Sequence, residues 1–166
     1  MASKDIPPDK FFESMERFIA EGESVELRVT GESMRPYFRG DGSEVIVVSP
    51  FSPEELTRGL IVGFRHQGKY KYHRIISRTG DQLVIQGDGV VRNQEHVTVP
   101  DVVGIVRTVI RRNGKAISTQ SRTARLYWRC WLRLTPIRKY LLFPFRCWFA
   151  MERRISSILQ TPNRNN

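Results

Sequence analysis

The stretch VTGESMRPYFRGDG, residues 29–42, sets a small hydroxyl residue, Ser33, between a strand-like run and a proline, and closes on a Gly-Asp-Gly turn. Working outward from it, short runs rich in Val and Ile alternate with Gly, Asp, Pro and Ser from Ser24 to Lys115, the pattern of strands joined by turns. Strands are predicted over 25–30, 44–48, 60–64, 70–77, 83–86 and 102–110. Their spacing suits hairpins better than helical crossovers, so an antiparallel or mixed β body is expected and not a doubly wound sheet. The chain carries no internal repeat.

The flanks read differently. Between Asp9 and Glu21, the residues Phe11, Phe12, Met15, Phe18 and Ile19 recur at helical spacing with charges between them, which predicts an amphipathic helix packed on the body by its aromatic face. From Ser121 to Ile158, arginines interleave with Trp, Phe, Leu and Tyr, and Pro136 and Pro144 interrupt helical continuity. All three tryptophans, Trp128, Trp131 and Trp148, lie in this tail. The expected organisation is therefore an N-terminal helix over 1–23, a β domain over 24–118 and a basic, aromatic-rich, helical tail over 119–166.

The 166 residues suffice for one domain with a hydrophobic core. The formal net charge of +10 is unevenly spread: residues 1–106 hold 13 basic and 16 acidic side chains, whereas residues 107–166 hold 14 basic ones and Glu152 alone on the acidic side. An electrostatic partner is thus sought at the tail. Three readings of the tail stay open. It packs on the body, it lies on an anionic membrane surface with aromatic residues below the headgroups and arginines above, or it binds single-stranded nucleic acid or a partner protein. Nucleic acid is the weakest of the three. Two cysteines, Cys130 and Cys147, are too few for a disulfide framework and point to a reducing compartment. The first residues have no apolar core of signal-peptide length, and no run of about 18 apolar residues could span a bilayer.

A serine hydroxyl attacks a carbonyl at neutral pH only with a base in hydrogen-bond reach and donors for the developing oxyanion. The segment KYKYHRIIS, residues 69–77, offers two kinds of base on one face of an alternating strand, Lys71 and His73, with Tyr70, Tyr72 and Arg74 on the other face. His66 and His96 read as ordinary loop or strand-end residues. No Cys/His cluster has metal-ligand spacing, so neither a metal nor another cofactor is expected.

Taken in order, GESMRP (31–36), Gly40-Asp41 before a Val-rich strand, YHRII (72–76), QGDG (86–89) and VVGIV (102–106) resemble the signal peptidase I and LexA-like serine peptidase superfamily over about residues 25–110. The resemblance implies a complex, mainly β peptidase fold with Ser33 as nucleophile and its own N–H in the oxyanion hole. Many members use a lysine as base. His73-Arg74 is similar to the endoplasmic reticulum and archaeal branch, in which histidine takes that place. On this alignment the catalytic set is Ser33, His73 and Asp88, with Asp88 the first candidate to orient the imidazole. Lys71 is the alternative base and Glu95 the alternative acid. The branch usually carries a further aspartate about six residues after its Gly-Asp box, where this chain has Gln94 and Glu95; Leu60 also replaces a common aspartate.

The resemblance implies a serine endopeptidase that removes a leader or signal-like segment from an extended peptide or precursor protein, with small side chains near the cut. With no leading anchor in view, a cytoplasmic location is expected, peripheral on the inner membrane surface through residues 121–158. The alternatives are a non-catalytic peptide-binding or membrane-docking module on the same fold and, less well matched, a self-cleaving LexA-type regulator. The latter fits poorly because 32 residues precede Ser33 and the chain has no Ala-Gly or Cys-Gly dipeptide.

Overall fold

The computed structural model describes residues 8–144 together with Cys147 and Met151. Helix α1 (Pro8–Ala20) leads into strands β1 (Val25–Thr30), β2 (Asp41–Ser49), β3 (Ile61–His66), β4 (Lys69–Thr79), β5 (Gln82–Gln86), β6 (Glu95–Thr98), β7 (Val102–Ile110) and β8 (Ala116–Ser118), and helix α2 (Arg122–Arg133) follows. The protein is mainly β. All eight strands join one sheet of order β1-β2-β7-β3-β4-β5-β6, with β8 alongside the second half of β7, and every pairing is antiparallel.

Local chemistry explains the hairpins. Gln67 and Gly68 both take positive φ, 50° and 70°, the backbone that a two-residue β3–β4 connection needs to match strand twist. The six expected strands form within a few residues of their predicted bounds. Two more, β6 and β8, are added, four and three residues long; their EHVT and AIS sequences are too short to carry a periodic signal.

Two apolar clusters pack against the sheet. One holds Leu27, Val29, Met34, Phe38, Ile46, Ile61 and Val106 beneath Met15 and Ile19 of α1. The other holds Val62, Phe64, Ile75, Leu83, Ile85, Val97 and Ile105. Adjacent residues Ile61 and Val62 fall in different clusters, as do Ile105 and Val106, so β3 and β7 are covered on both faces, which explains their continuous apolar runs. Helix α1 docks through Met15, Ile19 and Phe12, the last stacked on Tyr70 at 4.2 Å between ring centroids. Phe18, expected on the same face, is instead exposed beneath the Arg17 guanidinium. The side chain of Phe11 lies outside the described residues.

The tail packs on the body through α2. Ala124, Trp131 and Leu132 are buried, and the Trp128 ring lies so close over Gly59 that a Cβ there would stand 2.2 Å from it. Ser121 caps the helix by accepting from the Ala124 N–H. Residues 138–144 are again helical. Of the segment expected to meet a membrane, Trp148 and nearly all of 145–158 lie outside the described residues. Among the described residues no helix is long and apolar enough to cross a membrane.

Candidate active site

Ser33 sits in the turn between β1 and β2, at an exposed position. The loop is pinched shut at its base, where the Gly31 N–H donates to the Gly40 carbonyl at 2.9 Å. A Cβ on Gly40 would fall 1.7 Å from the Gly31 oxygen, so this closure admits no side chain. Met34 and Phe38 anchor the loop in the core. Its far end is held by the buried Glu44, which accepts from the Arg39 N–H at 2.6 Å and from Arg111 at 2.7 Å, while Arg111 also donates to the Tyr37 carbonyl. Sequence reasoning did not identify Glu44 or Arg111, because the two residues are 67 positions apart and only the β2–β7 pairing makes them neighbours.

A second Gly-Asp-Gly box, Gly87-Asp88-Gly89, grips the same loop. Gly89 donates its N–H to the Ser33 carbonyl at 2.8 Å. A Cβ on Gly87 would stand 2.3 Å from that carbonyl oxygen and 3.1 Å from His73 Nε2. The Ser33 backbone and the His73 imidazole therefore converge on one point that only glycine leaves open. Among the described residues nothing hydrogen-bonds the Ser33 hydroxyl or its N–H.

The register of β4, β5 and β6 decides which acid meets His73. Arg74 pairs with Gln86, so His73 faces Gly87 just past the end of β5. With no side chain there, Glu95 at the start of β6 reaches across, and its Oε2 lies 3.1 Å from His73 Nδ1. Asp88 falls on the opposite side. It takes a two-pronged pair from Arg74, Nε to Oδ1 at 2.9 Å and Nη2 to Oδ2 at 2.7 Å, with both side chains 2 % exposed. The expectation that Asp88 orients His73 is corrected on this geometry. Strand alternation sends His73 and Arg74 to opposite faces, and each meets its own carboxylate. The departure at residues 94–95 is where the acid on His73 stands.

Lys71 shares the His73 face, as expected, and its Nζ lies 3.1 Å from Glu95 Oε1. Glu95 thus bridges the two candidate bases. His73 is 4 % exposed, and burial lowers its pKa below 6.5; Glu95 opposes this by charge and hydrogen bond, Lys71 adds to it, and Asp88 opposes it. The imidazole is therefore neutral at pH 7, with Nδ1 engaged by Glu95 and Nε2 toward the Ser33 loop.

These residues line a cavity of about 340 Å³ that also includes Val29, Met34, Tyr70, Tyr72 and Val90. It runs into a second hollow of about 450 Å³ along β1, with which it shares Val29, Thr30, Tyr70 and Tyr72. Together they form a groove beside β1, whose outer edge pairs with no strand among the described residues. The Phe12–Tyr70 stack lies along it. Burial and the Glu16 carboxylate push the Tyr70 hydroxyl up to about 12, so it stays a protonated donor to Glu16.

Behind the Gly-Asp-Gly box, the tail supplies a wall that sequence reasoning left unassigned. The Trp131 indole donates to the Asp88 carbonyl at 3.0 Å, Tyr127 stacks on Trp131, and Arg74 lies between the Tyr37 and Tyr127 faces at 5.0 and 5.8 Å. Arg138, 1 % exposed, reaches Gln86 and the Val90 carbonyl. Among the described residues no group of three His, Cys, Asp or Glu side chains could hold a metal ion. No protein-family model and no curated protein matches the chain in sequence comparison.

Proposed function

We propose that this protein is a serine endopeptidase of the signal peptidase type, built on the mainly β fold of the signal peptidase and LexA-like superfamily. The observation that carries the reading is the convergence of an exposed serine, held by a glycine-cradled turn, on a buried neutral histidine whose far nitrogen is hydrogen-bonded to Glu95. Ser33 Oγ attacks the scissile carbonyl and its proton passes to His73 Nε2. Glu95 fixes the tautomer with the proton on Nδ1 and stabilises the imidazolium that forms. The free Ser33 N–H donates to the developing oxyanion. Breakdown of the tetrahedral intermediate breaks the C–N bond as His73 returns the proton to the leaving amine. Water, deprotonated by the same imidazole, then hydrolyses the acyl-enzyme.

The substrate in this reading is an extended segment of a peptide or precursor protein, paired along the free edge of β1. Processing takes place in the cytoplasm, next to the inner membrane surface. The alternative reading, a peptide-binding module without catalysis, rests on a Ser33 hydroxyl that hydrogen-bonds no described residue; such bonds commonly tighten only when substrate is present. Mass spectrometry of a library of extended peptides with small residues at the cut, incubated with wild type, Ser33→Ala, His73→Ala and Lys71→Ala, separates the two. Cleavage by wild type and Lys71→Ala, abolished in the other two, is the expected result. Peptide binding without cleavage by any form gives the module reading instead.

A further inference from the structure

Helix α2 divides its residues sharply. The inner face carries the aromatic rings that wall the Gly-Asp-Gly box, whereas Arg125, Arg129, Arg133 and Leu126 point outward, Leu126 at 64 % exposure. In the helical residues that follow, Tyr140 and Phe143 are also exposed, at 66 % and 68 %. Ile137 is exposed between them. No acidic residue occurs between Asp101 and Glu152, and among the described residues none of these three arginines has an ion-pair partner. On α2, Leu126 and three guanidinium groups with no ion-pair partner among the described residues thus share one solvent-facing side.

We infer that this surface is a docking site for an anionic lipid bilayer. The charge is complementary to acidic headgroups, and the aliphatic and aromatic side chains find hydrocarbon one layer below, the division of labour of an interfacial helix. Single-stranded nucleic acid would satisfy the arginines equally, but its bases need flat aromatic faces to stack on. Trp131 and Tyr127 are turned into the protein, and Trp128 lies on Gly59, so these three rings of α2 are spent on the body. Outside remain the aliphatic Leu126 and Ile137 and the aromatic Tyr140 and Phe143, so the oligonucleotide arm of the test below decides between lipid and nucleic acid. The inference stands apart from the peptidase reading, since it uses no residue of the Ser33 cavity.

The test is sedimentation of the full chain with vesicles of phosphatidylglycerol and phosphatidylcholine in equal parts, and with phosphatidylcholine alone. Each arginine near an anionic surface strengthens binding about fivefold, so replacing all three, Arg125→Gln, Arg129→Gln and Arg133→Gln, weakens binding roughly a hundredfold. Binding to the acidic vesicles only, weakened by salt and by the triple replacement, is the expected result. A further variant, Leu126→Ser with Phe143→Ser, is expected to lose the part of binding that survives high salt. Binding to neither vesicle, equal binding to both, or an unaffected triple variant overturns the proposal. So does tighter binding to a single-stranded oligonucleotide than to acidic vesicles. The lipid and salt comparisons need only wild type, so they decide even if a variant fails to fold. Peptide cleavage measured without lipid reports on the peptidase reading separately.

Discussion

Replacing Asp88 and replacing Glu95 should fail in opposite ways, and the contrast tests the central geometry. Asp88→Asn keeps one acceptor for Arg74 but turns an amide N–H₂ toward its Nη2, where two oxygens now take bonds of 2.9 and 2.7 Å. Arg74 would stay fully buried with no negative charge beside it, only one amide oxygen, the Gly59 carbonyl and two tyrosine faces. Removing one partner of a buried pair costs about 3–5 kcal/mol. For a chain of this length that is a fall in Tm of roughly 6–20 °C. Glu95→Gln acts elsewhere: Glu95 is partly exposed and bonded to His73 and Lys71, so its loss changes the imidazole and leaves the core alone. Peptidase activity should fall by roughly two to four orders of magnitude, as when the orienting acid of a Ser-His system is neutralised, with Tm nearly unchanged. Thermal unfolding and kcat/KM on the same two variants read out both effects. If Asp88→Asn melts like wild type but loses activity, while Glu95→Gln keeps it, the assignment of the two acids made here is wrong.

Four further outcomes follow from the same contacts. Burial holds His73 below 6.5, so the acid limb of kcat/KM should lie below that of a free imidazole, and Lys71→Met, which removes a charge that lowers it, should move the limb upward; a pH profile of both proteins checks this. The same depression means that the unfolded chain binds this proton first, so stability should decline as pH falls below about 6.5, more steeply in wild type than in His73→Gln; unfolding by denaturant between pH 7 and 5 measures it. Gly87→Ala would put a methyl 2.3 Å from the Ser33 carbonyl and force the turn back by about 1 Å, a misplacement worth on the order of 10²-fold in kcat/KM with the fold kept; full activity would refute the cradle. Trp131→Phe leaves the buried Asp88 carbonyl without its indole donor and should cost about 1–3 kcal/mol in denaturant unfolding, with Tyr127 and Arg138 still in place.

Much of the fold was legible because it is written locally. Runs of Val and Ile bounded by Gly, Pro and Asp announced six strands, and the 3.6-residue recurrence of Met15 and Ile19 announced α1. Ser33, Lys71 and His73 were legible as chemistry, since a hydroxyl beside a turn proline and two bases on one strand face are local facts. Phe18 illustrates the limit: its spacing fits the apolar stripe, but where the sheet ends beneath α1 is not encoded in the helix. In the tail, composition left packing, membrane and nucleic acid open together. The structure divides them residue by residue, because α2 has an inner and an outer face and the sequence of a basic, aromatic helix does not say which aromatic faces which way.

The sequence by itself determined which residues could do chemistry and which segments are strands, for both depend on residue type and near neighbours. Only the tertiary structure decided the pairing of acids and bases. Glu95 is 22 residues from His73 and Asp88 is 14 from Arg74. Which carboxylate meets which cation depends on where β5 stops and on the side to which each strand residue points. A one-residue change in that register would exchange the two faces. That is why the acid beside His73 could be named only as one of two from the sequence, and became Glu95 once β4, β5 and β6 lay side by side.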